Sequence, residues 1–228
     1  MGHLSFQRPL VVLVLLLAST RPTPANAGPV RGVLKLAQGE DSLSLTPQGS
    51  WRDLRNALLP LAPPSVDIRQ HMIVAIEGDA KAKPAYPPTV EMNDGRFLPP
   101  IIAVRPNTAV TFANKDWQMH LLEPTEKRTF MKPTTVEPGE AEKQTFTKEG
   151  SYTLHCSEVP HMRLTILVTT KAQLALPDNA GVFRFPDVRP GTYKLFVWFR
   201  GKWLFHQPLT VRSGRTTVNV LLPKLKKD

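Results

Sequence analysis

LHCSEVPHMRL, from Leu154 to Leu164, holds the one cysteine among 228 residues and sets it within six positions of His155, His161 and Met162. The stretch is a junction between two strand-like runs. Tyr152 to His155 leads into it and RLTILVTT, Arg163 to Thr170, leaves it, both rich in β-branched and apolar residues. The same texture extends in both directions. VRGVLKL (Val30 to Leu36), MIVAIE (Met72 to Glu77), Ile101 to Val104, Ala109 to Phe112 and Gln144 to Phe146 are short runs of this kind, separated by Pro or Gly. The 23 prolines and 13 glycines work against long helices, so the sequence predicts an all-β chain. One exception is SWRDLRNALL, Ser50 to Leu59, where Ser50 can cap a short helix, Asp53 stands at its third position and Pro60 ends it.

From Lys171 the pattern starts afresh. GVFRF, the turn PDVRPGT, YKLFVWFRG, WLFHQPLTV and TTVNVLL follow in order, and Tyr193, Leu195, Val197 and Phe199 alternate with Lys194, Phe196, Trp198 and Arg200. One apolar face and one mixed face imply a second, smaller β-sandwich of about 55 residues, marginal alone and expected to pack on the first. The expected division is a leader at 1–27, a first sandwich at 28–170 carrying the helix near 50–59, and a second sandwich at 171–228.

The leader expectation rests on Arg8, the apolar run LVVLVLLLA from Leu10 to Ala18, and the small-x-small site Ala25-Asn26-Ala27. The run falls short of the about 20 apolar residues that span a bilayer, and no later stretch reaches that length, so no membrane span is expected. The predicted protein is periplasmic or secreted, with cleavage near Ala27. A single cysteine in an oxidising compartment forms no internal disulfide, which leaves a ligand, a reactive thiol or buried filler. Lys and Arg outnumber Asp and Glu by 29 to 19. That balance suits an acidic partner or an anionic surface, whereas export argues against nucleic acid.

A thiolate, two imidazoles and a thioether are the donors that hold copper in trigonal electron-transfer sites. Donors around Cys156 alone cannot enclose an ion, so one imidazole must come from a separate strand. His120 is the candidate, in NTAVTFANKDWQMHLL from Asn107 to Leu122, after the strand Val110 to Phe112. His155 precedes Cys156 on the same strand and is expected to face away from it. Met119 reads as packing, His71 and His206 as structural or surface residues. Trp117, Trp198 and Trp203 read as core or interface aromatics, and Trp117 is also close enough to His120 to shield a metal.

The pattern Val110-x-Phe112-x-Asn114-x-Asp116-x-x-x-His120, followed by the Tyr152-x-x-x-Cys156 strand end and the His161-Met162 loop, resembles the cupredoxin family of plastocyanin and azurin. FLPPIIAVRPNTAVTFANKDWQMH, EKQTFTKEGSYTLHCSEVPHM and RLTILVTT are similar in order and spacing to a bacterial plastocyanin-like subgroup. In that subgroup a carboxypeptidase-regulatory, transthyretin-like domain often follows, and FRFPDVRPGTYKLFVWF resembles it. The resemblance implies a cupredoxin-like Greek-key β-sandwich followed by a smaller transthyretin-like one, with a type 1-like copper. His120 would be the upstream imidazole ligand and Cys156 the thiolate.

The second imidazole departs from the subgroup, whose loop Cys-x-x-His-x-x-Met puts a histidine where this chain has Val159. Met162 keeps the methionine place, and His161 stands five residues after the cysteine, a spacing similar to azurin's. Neighbouring residues in extended backbone point opposite ways, so both reach one ion only if the loop turns sharply at Pro160. Asn114 and Asp116 are expected behind the ligands, tying their loops together. The implied function is one-electron transfer or copper holding with a redox protein partner. Catalysis is not expected, since the chain has no Gly-x-Ser-x-Gly, nucleotide loop or paired acids. The other readings are a cupredoxin-like fold with a degenerate site, acting as an envelope binding or structural module, and a redox-sensing free thiol.

Overall fold

The computed structural model describes residues 27–37, 68–78, 88–125, 130–159 and 161–225. The expected leader, the expected helix at Ser50 to Leu59, and Pro160 lie outside them. In chain order the strands are β1 (Gly28–Lys35), β2 (Met72–Glu77), β3 (Thr89–Asn93), β4 (Arg96–Leu98), β5 (Ile101–Val104), β6 (Thr108–Asn114), β7 (His120–Pro124) and β8 (Thr134–Val136). They continue with β9 (Ala141–Phe146), β10 (Gly150–Cys156), β11 (Arg163–Val168), β12 (Gln173–Ala175), β13 (Val182–Val188), β14 (Gly191–Phe199), β15 (Lys202–Val211) and β16 (Thr216–Leu221). A single turn of 3-10 helix, Ile68–His71, precedes β2. The described chain is all-β. No helix in it is long and apolar enough to cross a membrane.

These strands make two sandwiches. One pairs the sheet β5-β11-β10-β7-β8 with the sheet β4-β3-β6-β9, around a core of Val90, Phe112, Leu122, Leu154, Leu164 and Ile166. The other pairs β13-β1-β16 with β12-β2-β14-β15, around Val30, Leu34, Val74, Phe183, Phe185, Leu195 and Val220. The first four strands of the first sandwich and its last share one logic, in which every second residue turns inward.

The boundary expected at 170/171 does not describe the sheets. β1 pairs antiparallel with β13 and parallel with β16, and β2 lies between β12 and β14, so both N-terminal strands belong to the later sandwich. The site-bearing sandwich, 88–169, is therefore inserted between β2 and β12. The physical reason is visible in MIVAIE, an unbroken apolar run with no polar face, the pattern of a strand covered on both sides. Met72, Val74 and Ile76 enter the core of the β1-containing sandwich, whereas Ile73 faces the other way. With Ile101, Leu167 and Trp198, Ile73 forms a small apolar cluster that joins the two sandwiches. Trp198 thus has the interface role expected of it.

The link between the sandwiches is held from both sides. Arg105 donates to the carbonyl of Ala172, and the Glu149 carboxylate accepts the Thr170 amide at 2.5 Å. Lys171 reaches the Glu77 carboxylate at 3.4 Å and lies 3.6 Å from the centre of the Phe196 ring.

Close packing at β1 demands glycine. A Cβ on Gly32 would stand 2.0 Å from Cζ of Phe183. Gly32→Ala is expected to cost about 1–3 kcal/mol in urea unfolding, with part of the loss recovered by adding Phe183→Leu. At the start of β2, burial and then the neighbouring Arg200 guanidinium hold the His71 imidazole below its ordinary value of 6.5. As pH falls through that value the unfolded chain binds the proton first, so stability drops on the acid side. His71→Gln should flatten that drop in unfolding midpoints measured above and below it.

Candidate metal centre

The centre begins with a hairpin. Asn93-Asp94-Gly95-Arg96 joins β3 to β4, with φ of 54° at Asp94 and 65° at Gly95, the left-handed pair that a tight two-residue turn requires. Its amides point at one carboxylate. Asp94 N–H donates to Asp116 Oδ1 at 2.5 Å, and Gly95 N–H to Asp116 Oδ2 at 3.1 Å. Asp116 sits in the connection from β6 to β7, which is tightened by Asn114. The Asn114 side chain, fully buried, donates to the carbonyls of Gln118 at 2.8 Å and Val136 at 2.9 Å, and its Oδ1 accepts the Asp116 amide at 2.9 Å.

His120 opens β7 and its side chain is 0 % exposed. A buried imidazole needs partners at both nitrogens. His120 Nε2 lies 2.8 Å from Asp116 Oδ2, and Nδ1 lies 3.4 Å from Cys156 Sγ. The carboxylate can only accept, so the ring proton sits on Nε2 and the Nδ1 lone pair faces the sulfur. In the metal-free protein the thiol S–H donates to that lone pair. Burial pushes the Cys156 thiol above its ordinary value, opposed by the amides of Val159, Glu158 and Leu121, while the Glu158 charge adds to the rise.

The remaining donors come from the loop after β10. Cys156 N–H donates to the Met162 carbonyl at 3.2 Å and Met162 N–H to the Val159 carbonyl at 2.9 Å, which folds the loop back on itself. Met162 is buried in the same apolar cluster as Cys156 and Val159. Val159, where the resemblance called for histidine, is core filler. His161 Nδ1 is buried without a hydrogen-bond partner. Its ring packs near the hairpin, since a Cβ on Gly95 would lie 3.8 Å from His161 Nε2.

Other residues fall elsewhere. His155 faces away from the sulfur, with Nδ1 3.3 Å from Thr125 Oγ1 and Nε2 3.8 Å from Glu123, which also accepts from Ser157. Trp117 is 88 % exposed and Met119 44 %, so Trp117 neither shields His120 nor belongs to the core. His71 ends the 3-10 turn, and His206 packs against Phe196 on β14.

The structure thus brings together His120, Cys156 and, through hydrogen bonds, Asp116 and Asn114. Among the described residues no group of three or more His, Cys, Asp or Glu is arranged to hold a metal ion. The donor chemistry nevertheless fits copper at the two residues that meet. The 3.4 Å between His120 Nδ1 and Cys156 Sγ is short enough for bonds of about 2.0 and 2.3 Å to meet on one ion. An unpaired buried nitrogen such as His161 Nδ1 costs about 1–3 kcal/mol, which a bound ligand would relieve. Sequence reading missed the Asp94-Gly95 turn, although Asp-Gly between Val90-x-Met92 and Phe97 is a hairpin signal.

Comparison with known proteins places residues 170–219 in similarity to the family model "Polysaccharide lyase family 4, domain II". That description differs from the carboxypeptidase-regulatory type expected for this segment. No curated protein sequence matches the chain. Solved structures similar to part of it include a purple cupredoxin from Nitrosopumilus maritimus, at 18% identity and TM-score 0.33, over 36% of this chain and 98% of that one. A reduced amicyanin variant aligns at 23% identity and TM-score 0.33, over 36% of this chain and 80% of that one. A copper-containing nitrite reductase from Thermus scotoductus aligns at 28% identity and TM-score 0.33, over 42% of this chain and 25% of that one.

Asp116→Ala removes the acceptor that fixes the His120 tautomer. It is expected to weaken copper binding by about 10- to 100-fold in a chelator competition titration.

Proposed function

We propose that this chain is a cupredoxin-type copper protein of the periplasm that carries single electrons or, in a lesser role, holds copper for delivery. One observation carries the reading. A buried imidazole turns its free Nδ1 lone pair to a buried thiol 3.4 Å away, while its other nitrogen is committed to a carboxylate held by two backbone amides. That is how histidines are oriented for metals. His120 and Cys156 would hold the ion, with His161 and Met162 from the following loop completing the set.

Bound there, copper would supply a one-electron couple. The chain's own part is to keep the donors still. Asp116 holds the His120 ring, Asn114 holds the Asp116 loop, and the burial of Cys156 and Met162 keeps water from the sulfur atoms. Cys156 gives up its proton on binding, and its raised value makes copper uptake fall steeply with acid. In this reading the arrangement is a carrier's, and its partner would be a redox protein. The finer form of the reading is the plastocyanin-like subgroup with a carboxypeptidase-regulatory-like second sandwich, supported by the residue patterns at Val110 to His120 and at Phe183 to Phe199.

A second reading has its own support. Val159 in place of a histidine, and the absence among the described residues of a three-membered group of His, Cys, Asp or Glu arranged for a metal, favour a degenerate site on an envelope binding or structural module. Adding Cu(II) to metal-free protein separates the two. The copper reading expects an intense absorption at the red end of the visible range, abolished by Cys156→Ser and by His120→Ala. His161→Ala should lower copper affinity by about 100-fold if that ring is a ligand. A colourless sample, or an affinity indifferent to all three substitutions, would leave the degenerate module.

A further inference from the structure

Charge is divided unevenly between the sandwiches. Among the described residues, the site-bearing sandwich has seven Lys and Arg against nine Asp and Glu, whereas the sandwich containing β1 has twelve against three. Of the three acids of the basic sandwich, two are used locally and one lies on the outer sheet. Glu77 pairs with Lys171, Asp178 caps the amides of Ala180 and Val182, and Asp187 is the single acid on the outer sheet, at the Arg31 end of β13.

The outer face of the sheet β13-β1-β16 carries the excess. Register sets Arg31 directly opposite Arg184, with Thr217 on its other side; Val33 lies between Val182 and Asn219; Lys35 lies beside Leu221, which is 66% exposed. The alternate residues of the same strands, among them Val30, Leu34, Phe183, Phe185 and Val220, form the core, so the charged set necessarily points outward. Arg215, also exposed, precedes β16 at the Arg31 end. Among the described residues none is an ion-pair partner of Arg31, Lys35 or Arg184. Like charges placed opposite one another across strands lower stability, a cost unmatched here by any internal gain.

We infer that this face docks on an anionic phospholipid surface. Charge complementarity selects an anionic partner, and shape selects among anions. Leu221 projects from this face, and among the described residues the outward side chains of β13, β1 and β16 include no aromatic ring on which a sugar could stack. Among the described residues of this sandwich, the exposed Trp203 and the half-buried Phe196 packed against it lie on the other sheet. Diffuse basic charge on a broad surface is what an anionic leaflet attracts, each Lys or Arg near it strengthening binding about fivefold. The acidic sandwich would then be turned away from the lipid, which leaves the His120–Cys156 end free for other contacts.

The test is co-sedimentation of the full chain with phosphatidylcholine vesicles made with and without phosphatidylglycerol. Binding is expected only to the vesicles containing phosphatidylglycerol, and it should weaken as salt is raised. Arg31→Gln, Lys35→Gln and Arg184→Gln combined should lower it about a hundredfold, while Lys143→Gln with Lys148→Gln on the other sandwich leaves it unchanged. Circular dichroism checks the fold; should the triple variant fail to fold, Arg184→Gln alone is expected to show about a fivefold loss. Equal binding to both vesicle types, or binding indifferent to the substitutions, overturns the inference. So does preferential binding of polygalacturonate, which would assign the face to a soluble polyanion. Metal-free and copper-loaded protein should bind alike, so this result stands apart from the copper reading.

Discussion

A buried imidazole with both nitrogens spoken for is the constraint around which the site-bearing sandwich is arranged. His120 contributes no apolar surface to compare with a leucine in its place, and it is tolerated at zero exposure because each nitrogen has one partner of the right kind. Meeting that requirement draws in distant parts of the chain. The β3–β4 turn supplies amides for Asp116, β6 supplies Asn114, β8 supplies a carbonyl for Asn114, and β10 ends on the sulfur. Loosening any one of these would leave a buried polar group without its partner, which costs more than the bond itself contributes. The site and the fold are, in this region, one hydrogen-bonded unit.

The second organising feature is the way two cores share a wall. Ile73, Ile101, Leu167 and Trp198 each belong to a strand whose alternate residues enter a main core, so the period of two lets one strand serve two interiors. The polar clamps at Arg105, Glu149 and Lys171 add direction to that apolar contact. Together they fix the orientation of the acidic sandwich relative to the basic one, and this fixed orientation is what gives the uneven charge a mechanical meaning.

Much of this is legible in the sequence because the strands carry period-two patterns. Met72–Glu77 and Ile101–Val104 match their expected limits, and β6, β9 and β10 extend the runs read at Ala109, Gln144 and Tyr152 by a few residues. Short strands such as Arg96–Leu98, Thr134–Val136 and Gln173–Ala175 carry too few residues for a period to show. Membership in a sheet is harder still. Val30 pairs with Phe185, and nothing local to VRGVLKL distinguishes that partner from a nearer one. At the site, residue type and spacing single out His120 and Cys156, but the aim of a side chain in a turning loop is set by tertiary contacts. This is why the packing of His161 near Gly95 could not be read from spacing alone.

The interleaved order of the chain also bears on its biogenesis. β1 and β2 emerge first from a ribosome or a translocon, yet their hydrogen-bonding partners β13, β14 and β16 are synthesised only after the whole inserted sandwich. Until then MIVAIE is a sticky, uncharged-faced segment with both edges open, the kind of strand that recruits other chains. A protein wired in this way can complete the β1-containing sandwich only after the inserted one has been made.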